Sequence, residues 1–145
     1  MRLPTGITTL ALAWTSVVSA QDQLAPLVAR GLASLRAGQC TVAFKGWTEQ
    51  WTDPEDAAKR DQVISGCGTL ARLGTMRGYD VLRSVNVSPH VQRTYLILLY
   101  DRQPVYFLIV LYRPEAAWKV HTLNWNTDYD KVVPAGLFGE ERPRP

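Results

Sequence analysis

Apolar positions along the chain change their period once, near residue 78. Before that point they recur every three or four residues. Leu24, Leu27, Val28, Gly31, Leu32 and Leu35 fall on one face of a helix. Pro26 is acceptable only in its first turn, Arg36 sits in its last, and Gly38 stops it. A second helix is expected over 41–51, where Phe44, Trp47 and Trp51 form an aromatic stripe of the kind that builds a core. The third helix has the clearest start. Asp53 can cap it, Pro54 suits the first helical position, and Glu55 and Asp56 favour the positive end of its dipole. It is expected to run to about Leu73, burying Val63, Ile64, Cys67, Leu70 and Ala71, with Gly74 past its end. Gly66 and Gly68 each weaken its middle by ~1 kcal/mol relative to alanine, which points to another backbone approaching closely there.

From Gly78 onward the period is two. Strands are expected over 79–87, 91–100, 105–112 and 118–126. The connections lie within Asn86–His90, Asp101–Pro104 and Arg113–Ala117, and turns this short make an antiparallel meander. The fold class is therefore α+β, with three N-terminal helices packed on one face of a four-stranded antiparallel sheet.

The two central strands break the expected pattern. Tyr95-Leu96-Ile97-Leu98-Leu99-Tyr100 and Val105-Tyr106-Phe107-Leu108-Ile109-Val110-Leu111-Tyr112 do not alternate apolar with polar. A sheet with one wet face would alternate. Both faces of these strands need cover, and three helices cover only one. The expected second layer is another copy of the sheet, giving a homodimer through the apolar sheet face, or else a hydrophobic partner.

The N-terminus carries an address. Arg2 gives a positive start, residues 7–18 form an uncharged run of apolar or small residues, and Val18-Ser19-Ala20 fits a signal-peptidase site. A run of that length falls short of the ~20 residues a transmembrane anchor needs. A buried helix is a poor fit because Pro4, Gly6 and the threonines disfavour it. The reading is a signal peptide over 1–20, one domain over 21–133 and a flexible Pro-rich tail over 134–145. The protein is then exported, periplasmic or secreted, with no transmembrane anchor.

Composition supports one domain. The chain has 145 residues, 46% of them hydrophobic, which suffices for a single core and excludes disorder of the whole. Its net charge of +3 falls to +2 once Arg2 is removed, too little for a nucleic-acid footprint. Cys40 and Cys67 are too few for a cysteine-built zinc site. In an oxidising compartment they can form a disulfide, and the other reading is two buried thiols.

The order of elements resembles the nuclear transport factor-like superfamily, also called cystatin-like α+β or SnoaL-like, and in particular its small exported bacterial members. The similar residues are Gly78-Tyr79, Thr94-Tyr95-Leu96, Tyr100-Asp101-Arg102-Gln103-Pro104, Val110-Leu111-Tyr112-Arg113-Pro114 and Trp118-Lys119-Val120. The resemblance implies a curved sheet closed by the helices into a cone that holds ligands. The superfamily contains isomerases, dehydratases, cyclases and non-catalytic binding modules, so the residues must decide the function.

They supply little acid-base chemistry. His121, on the fourth strand, is a weak catalytic candidate, and strict alternation would place it with Lys119, Leu123 and Trp125. Asp101 and Asp128 sit at strand ends, where turn chemistry accounts for them. No metal site is expected from two histidines 31 residues apart, and the absence of a Gly-rich loop argues against a nucleotide. No cofactor is expected. The leading reading is a non-catalytic exported module that binds a small apolar ligand or an envelope protein partner, with Trp47, Trp51, Tyr95, Trp118 and Trp125 as ligand-binding residues. The alternative is an isomerase- or cyclase-like enzyme with an acid-base residue in the cone. Mass spectrometry of the exported protein is expected to find Gln21 as its first residue; a chain still beginning at Met1 would overturn the address.

Overall fold

A computed structural model describes residues 24–139, so the expected signal peptide and residues 140–145 lie outside the described residues. Helices α1 (Pro26–Arg36), α2 (Cys40–Trp47), α3 (Pro54–Ser65) and α4 (Cys67–Arg72) precede strands β1 (Met76–Ser88), β2 (Val91–Tyr100), β3 (Pro104–Tyr112) and β4 (Lys119–Asn126). The strands pair antiparallel in the order β1-β2-β3-β4, which is the expected meander. A short 3-10 turn at Tyr129–Lys131 follows. No helix among the described residues is long and apolar enough to cross a membrane.

Helix α1 begins and ends at the residues its pattern indicated, with Pro26 in the first turn and Arg36 in the last. Helix α2 stops at Trp47, four residues earlier than expected. The Thr48 hydroxyl donates to the Phe44 carbonyl, and Trp51 continues the aromatic stripe from a loop rather than from the helix. The third expected helix is broken at Gly66 into α3 and α4. The close approach there is a ring, not a backbone: a Cβ at Gly66 would lie 2.6 Å from the Trp125 indole, whereas one at Gly68 would meet nothing. Asp53 occupies the N-cap position of α3 without a side-chain capping bond. Leu70 is buried in α4, but Val63 and Ile64 are only half-buried and Ala71 is exposed.

The main core lies between the helices and one face of the sheet. Val105, Phe107, Ile109 and Leu111 of β3 point into it and are fully buried, each contributing ~1.5–3 kcal/mol. Phe44 and Trp47 of α2 meet Phe107, with ring centroids 6.3 and 6.4 Å away. Trp47 also presses on α1, where its Nε1–H donates to the Leu27 carbonyl at 3.0 Å. That contact requires Gly31, because any Cβ at that position would overlap the indole ring. Cys40 and Cys67 are joined in a disulfide that ties the start of α2 to the start of α4. Closing a loop with a sequence separation of 27 stabilises by ~3–4 kcal/mol in the chain-entropy model.

The opposite face of the sheet has its own small cluster. Tyr95, Val132 and Val133 are buried there, with Leu82, Tyr106, Leu108 and Leu137 packed around them. The Arg83 guanidinium donates to the Leu137 carbonyl, and Tyr129 meets Tyr106 edge to face at 5.3 Å. The chain's own C-terminal segment thus supplies a second layer over part of this face. Packing continues past residue 133 to Leu137, inside the segment read from sequence as a flexible tail. Leu99 and Tyr112 stay exposed beside the cover.

The turn between β2 and β3 is tied to the start of β1. One Asp101 carboxylate oxygen accepts from the Thr75 backbone N–H at 2.7 Å, and the other accepts from Arg77 Nε at 2.6 Å. Arg77 and, after it, the Thr75 N–H hold the Asp101 carboxyl below its ordinary value of 3.8. Stability from this contact is fully present above 3.8 and is lost as pH falls through the lower folded value. Thermal melts are expected to show Asp101→Asn with a lower Tm than the parent at neutral pH and a shallower loss on acidification. Equal acid slopes would contradict the linkage. Gly31→Ala is expected to lower stability by ~1–3 kcal/mol through overpacking against Trp47, read from the urea midpoint. An unchanged midpoint would mean that α1 and α2 are not in close contact at this point.

Candidate functional site

The site candidate forms where α3 stands away from the sheet. None of the residues of α3 is fully buried. The helix is mostly polar, and its ion pairs are local: Lys59 meets Glu55 at 3.2 Å and Asp56 at 3.6 Å. Such exposed pairs contribute little to stability. Hydrogen bonding to Glu55, followed by its charge and that of Asp56, raises the Lys59 pKa above its ordinary value. Between this helix and β4 runs an open groove of about 700 Å³. One wall is Asp56, Lys59, Gln62 and Val63 of α3. The other is seven consecutive residues of β4, from Lys119 to Trp125.

Two indoles give the groove its apolar character. Trp51 is only 8% exposed, and its Nε1–H donates to the Val120 carbonyl at 2.8 Å, which pins the loop after α2 to β4. Trp125 is half-buried, stacked on Phe107 at 6.0 Å and 11° and resting against Gly66. Both rings line the groove with Val63 and Leu123. Gln50, Gln62, Thr122 and Asn124 add neutral polar groups.

His121 also lines the groove, but strict alternation misplaces its neighbours. Leu111 pairs with Val120 and Val110 with Thr122, so His121 is the extra residue of a β-bulge. The bulge turns Lys119 to the face of its partner Tyr112, opposite Leu123 and Trp125. His121 is exposed, with its ring 6.3 Å from that of Tyr112 in an edge-to-face arrangement. No hydrogen-bond partner holds its imidazole among the described residues.

The remaining sequence candidates lie elsewhere. Trp47 is 1% exposed in the main core. Tyr95 is 4% exposed and faces the C-terminal segment on the other side of the sheet. Trp118 lies at the end of the sheet under the Arg113 guanidinium, 4.6 Å from its ring centroid. The structure therefore brings together Trp51, Trp125 and His121 and separates them from Trp47, Tyr95 and Trp118. Asp101 holds a turn, and Asp128 accepts from the Asp130 backbone N–H at 3.2 Å. Among the described residues no three His, Cys, Asp or Glu side chains cluster as metal ligands. A second depression, of about 390 Å³, is lined by the Cys40–Cys67 bridge, Leu70, Met76 and Tyr100. Burial raises the Tyr100 pKa above its ordinary value.

No protein-family model matches the sequence, and no curated protein matches it significantly. Among solved structures, the chain is similar to a crystal structure named as that of an NTF2-like transpeptidase from Campylobacter jejuni. The identity is 13%, the match covers 63% of this chain and 90% of that one, and the TM-score is 0.47.

Proposed function

We propose that this is an exported, non-catalytic binding module of nuclear transport factor-like architecture, whose ligand site is the groove between α3 and β4. The observation that carries the reading is the groove itself: two indoles line it, neutral amides and hydroxyls surround them, and the titratable pair on its wall, Lys59 with Asp56, is an exposed ion pair on the helix surface. A general base is oriented by a partner within hydrogen-bond reach. His121 is exposed and has no such partner among the described residues, and this weighs against the isomerase or cyclase alternative. Helices before a four-stranded meander support the architecture. The Cys40–Cys67 bridge supports export, because such bonds persist in oxidising compartments. Cover of the second sheet face by Val132, Val133 and Leu137 removes part of the need for a second copy.

An apolar fluorescent probe tests the reading. Anilinonaphthalene sulfonate added to the folded protein is expected to bind with energy transfer from tryptophan. Val63→Asp, which puts a charge on the groove wall, and Gln62→Trp, which fills the groove, are each expected to weaken that binding at least ~5-fold, about 1 kcal/mol. Circular dichroism would check that both variants remain folded. No binding, or binding untouched by both variants, would overturn the assignment of the site.

A further inference from the structure

The two edges of the sheet are built differently. β1 carries three register shifts, at Met76/Gly78, Val81/Arg83 and Asn86/Ser88. Bulges of this kind blunt an edge against unwanted pairing. β4 has a single shift, at His121, and from Thr122 to Asn126 its register with β3 is unbroken. Its other side has no strand partner. Thr122 to Trp125 of that regular edge, with the three residues before them, form a wall of the groove. Seven consecutive residues at ~3.3 Å each give the groove an extent of roughly 20 Å, the shape of an extended chain rather than of a compact molecule.

The charges of the groove also differ from one another. Lys59 is neutralised by Glu55 and Asp56. Lys119 has no acidic side chain within ion-pair distance among the described residues. We propose that the groove binds an extended polypeptide segment as a fifth strand along Thr122–Asn126, with an apolar side chain between Val63 and Trp125 and an acidic residue reaching Lys119. This rests on the reading of the groove as the binding site and names its ligand class. Main-chain hydrogen bonds to the open edge supply affinity, and the flanking side chains supply selectivity.

The probe is a blocked heptapeptide of the order Glu-Phe-Thr-Val-Thr-Val-Thr, which puts its glutamate on the strand face opposite its apolar side chains as Lys119 lies opposite Trp125, titrated into the full chain and followed by amide NMR. Shift changes are expected at Thr122–Asn126 and along α3. The same peptide methylated on alternate backbone nitrogens is expected not to bind. Lys119→Glu is expected to weaken the glutamate peptide about three- to fivefold, the scale of an exposed ion pair, while leaving a glutamine peptide unchanged. The proposal is overturned by equal binding of the methylated peptide, by shifts outside the groove, or by no shift at millimolar peptide. Concentration-dependent shifts at the same amides without peptide would also overturn it, because the occupant would then be a second copy of this chain. A groove that takes anilinonaphthalene sulfonate but no peptide would sink this proposal and leave the binding site standing.

Discussion

β2 and β3 are apolar on both faces, and the rest of the chain is arranged to keep water from them. On one side Phe44 and Trp47 reach across from α2 to Phe107, and Gly31 lets α1 close over Trp47. On the other side the segment after β4 turns back and lays Val132, Val133 and Leu137 against Tyr95, Tyr106 and Leu108. A small domain has little surplus stability. Both covers therefore matter, and the smaller one is made by residues that look like a tail.

The same packing sets the position of the groove. α3 contributes no fully buried residue, so its place is fixed at its C-terminal end. There Gly66 meets the Trp125 ring, and the next residue, Cys67, is bonded to Cys40 at the start of α2. Trp51, donating to the Val120 carbonyl, anchors the loop that leads into α3. The helix is held at both ends and stands off from β4 in between. An opening beside a sheet edge follows from that geometry.

Much of this architecture was legible in the residues. Turn residues at Asn86–His90, Asp101–Pro104 and Arg113–Ala117 bounded the four strands, with β2 and β3 marked by near-continuous apolar runs rather than by alternation. Pro26 and Arg36 bounded α1 in the same way. The misses have physical causes. Trp51 continues the helical spacing of Phe44 and Trp47, but the chain leaves the helix to bring its indole to the Val120 carbonyl, a partner 69 residues away. The break at Gly66 comes where the Trp125 ring, likewise far off in sequence, rests against the helix. Half the site was visible as aromatic residues. The other half, Asp56, Lys59 and Gln62, reads as an ordinary wet helix face until the opposite wall is known. Val132, Val133 and Leu137 sit among prolines and charges, so no periodicity marks them as core.

The bulge at His121 joins fold and site most directly. With regular alternation, Lys119 and His121 would share the helix-facing side with Leu123 and Trp125, placing a charge and an imidazole over Trp51 and the core. Burying either without a partner is costly. One extra residue in β4 removes that conflict by returning Lys119 to the side of Tyr112 and leaving His121 in solvent. The apolar residues keep their place against Phe107. As a result the groove carries the Lys119 ammonium at one end of β4 and the Trp125 indole at the other, with Trp51 bonded to Val120 beside the bulge. An extended chain can set a charged and an apolar side chain at those two stations at once, because successive side chains of a strand point to opposite faces.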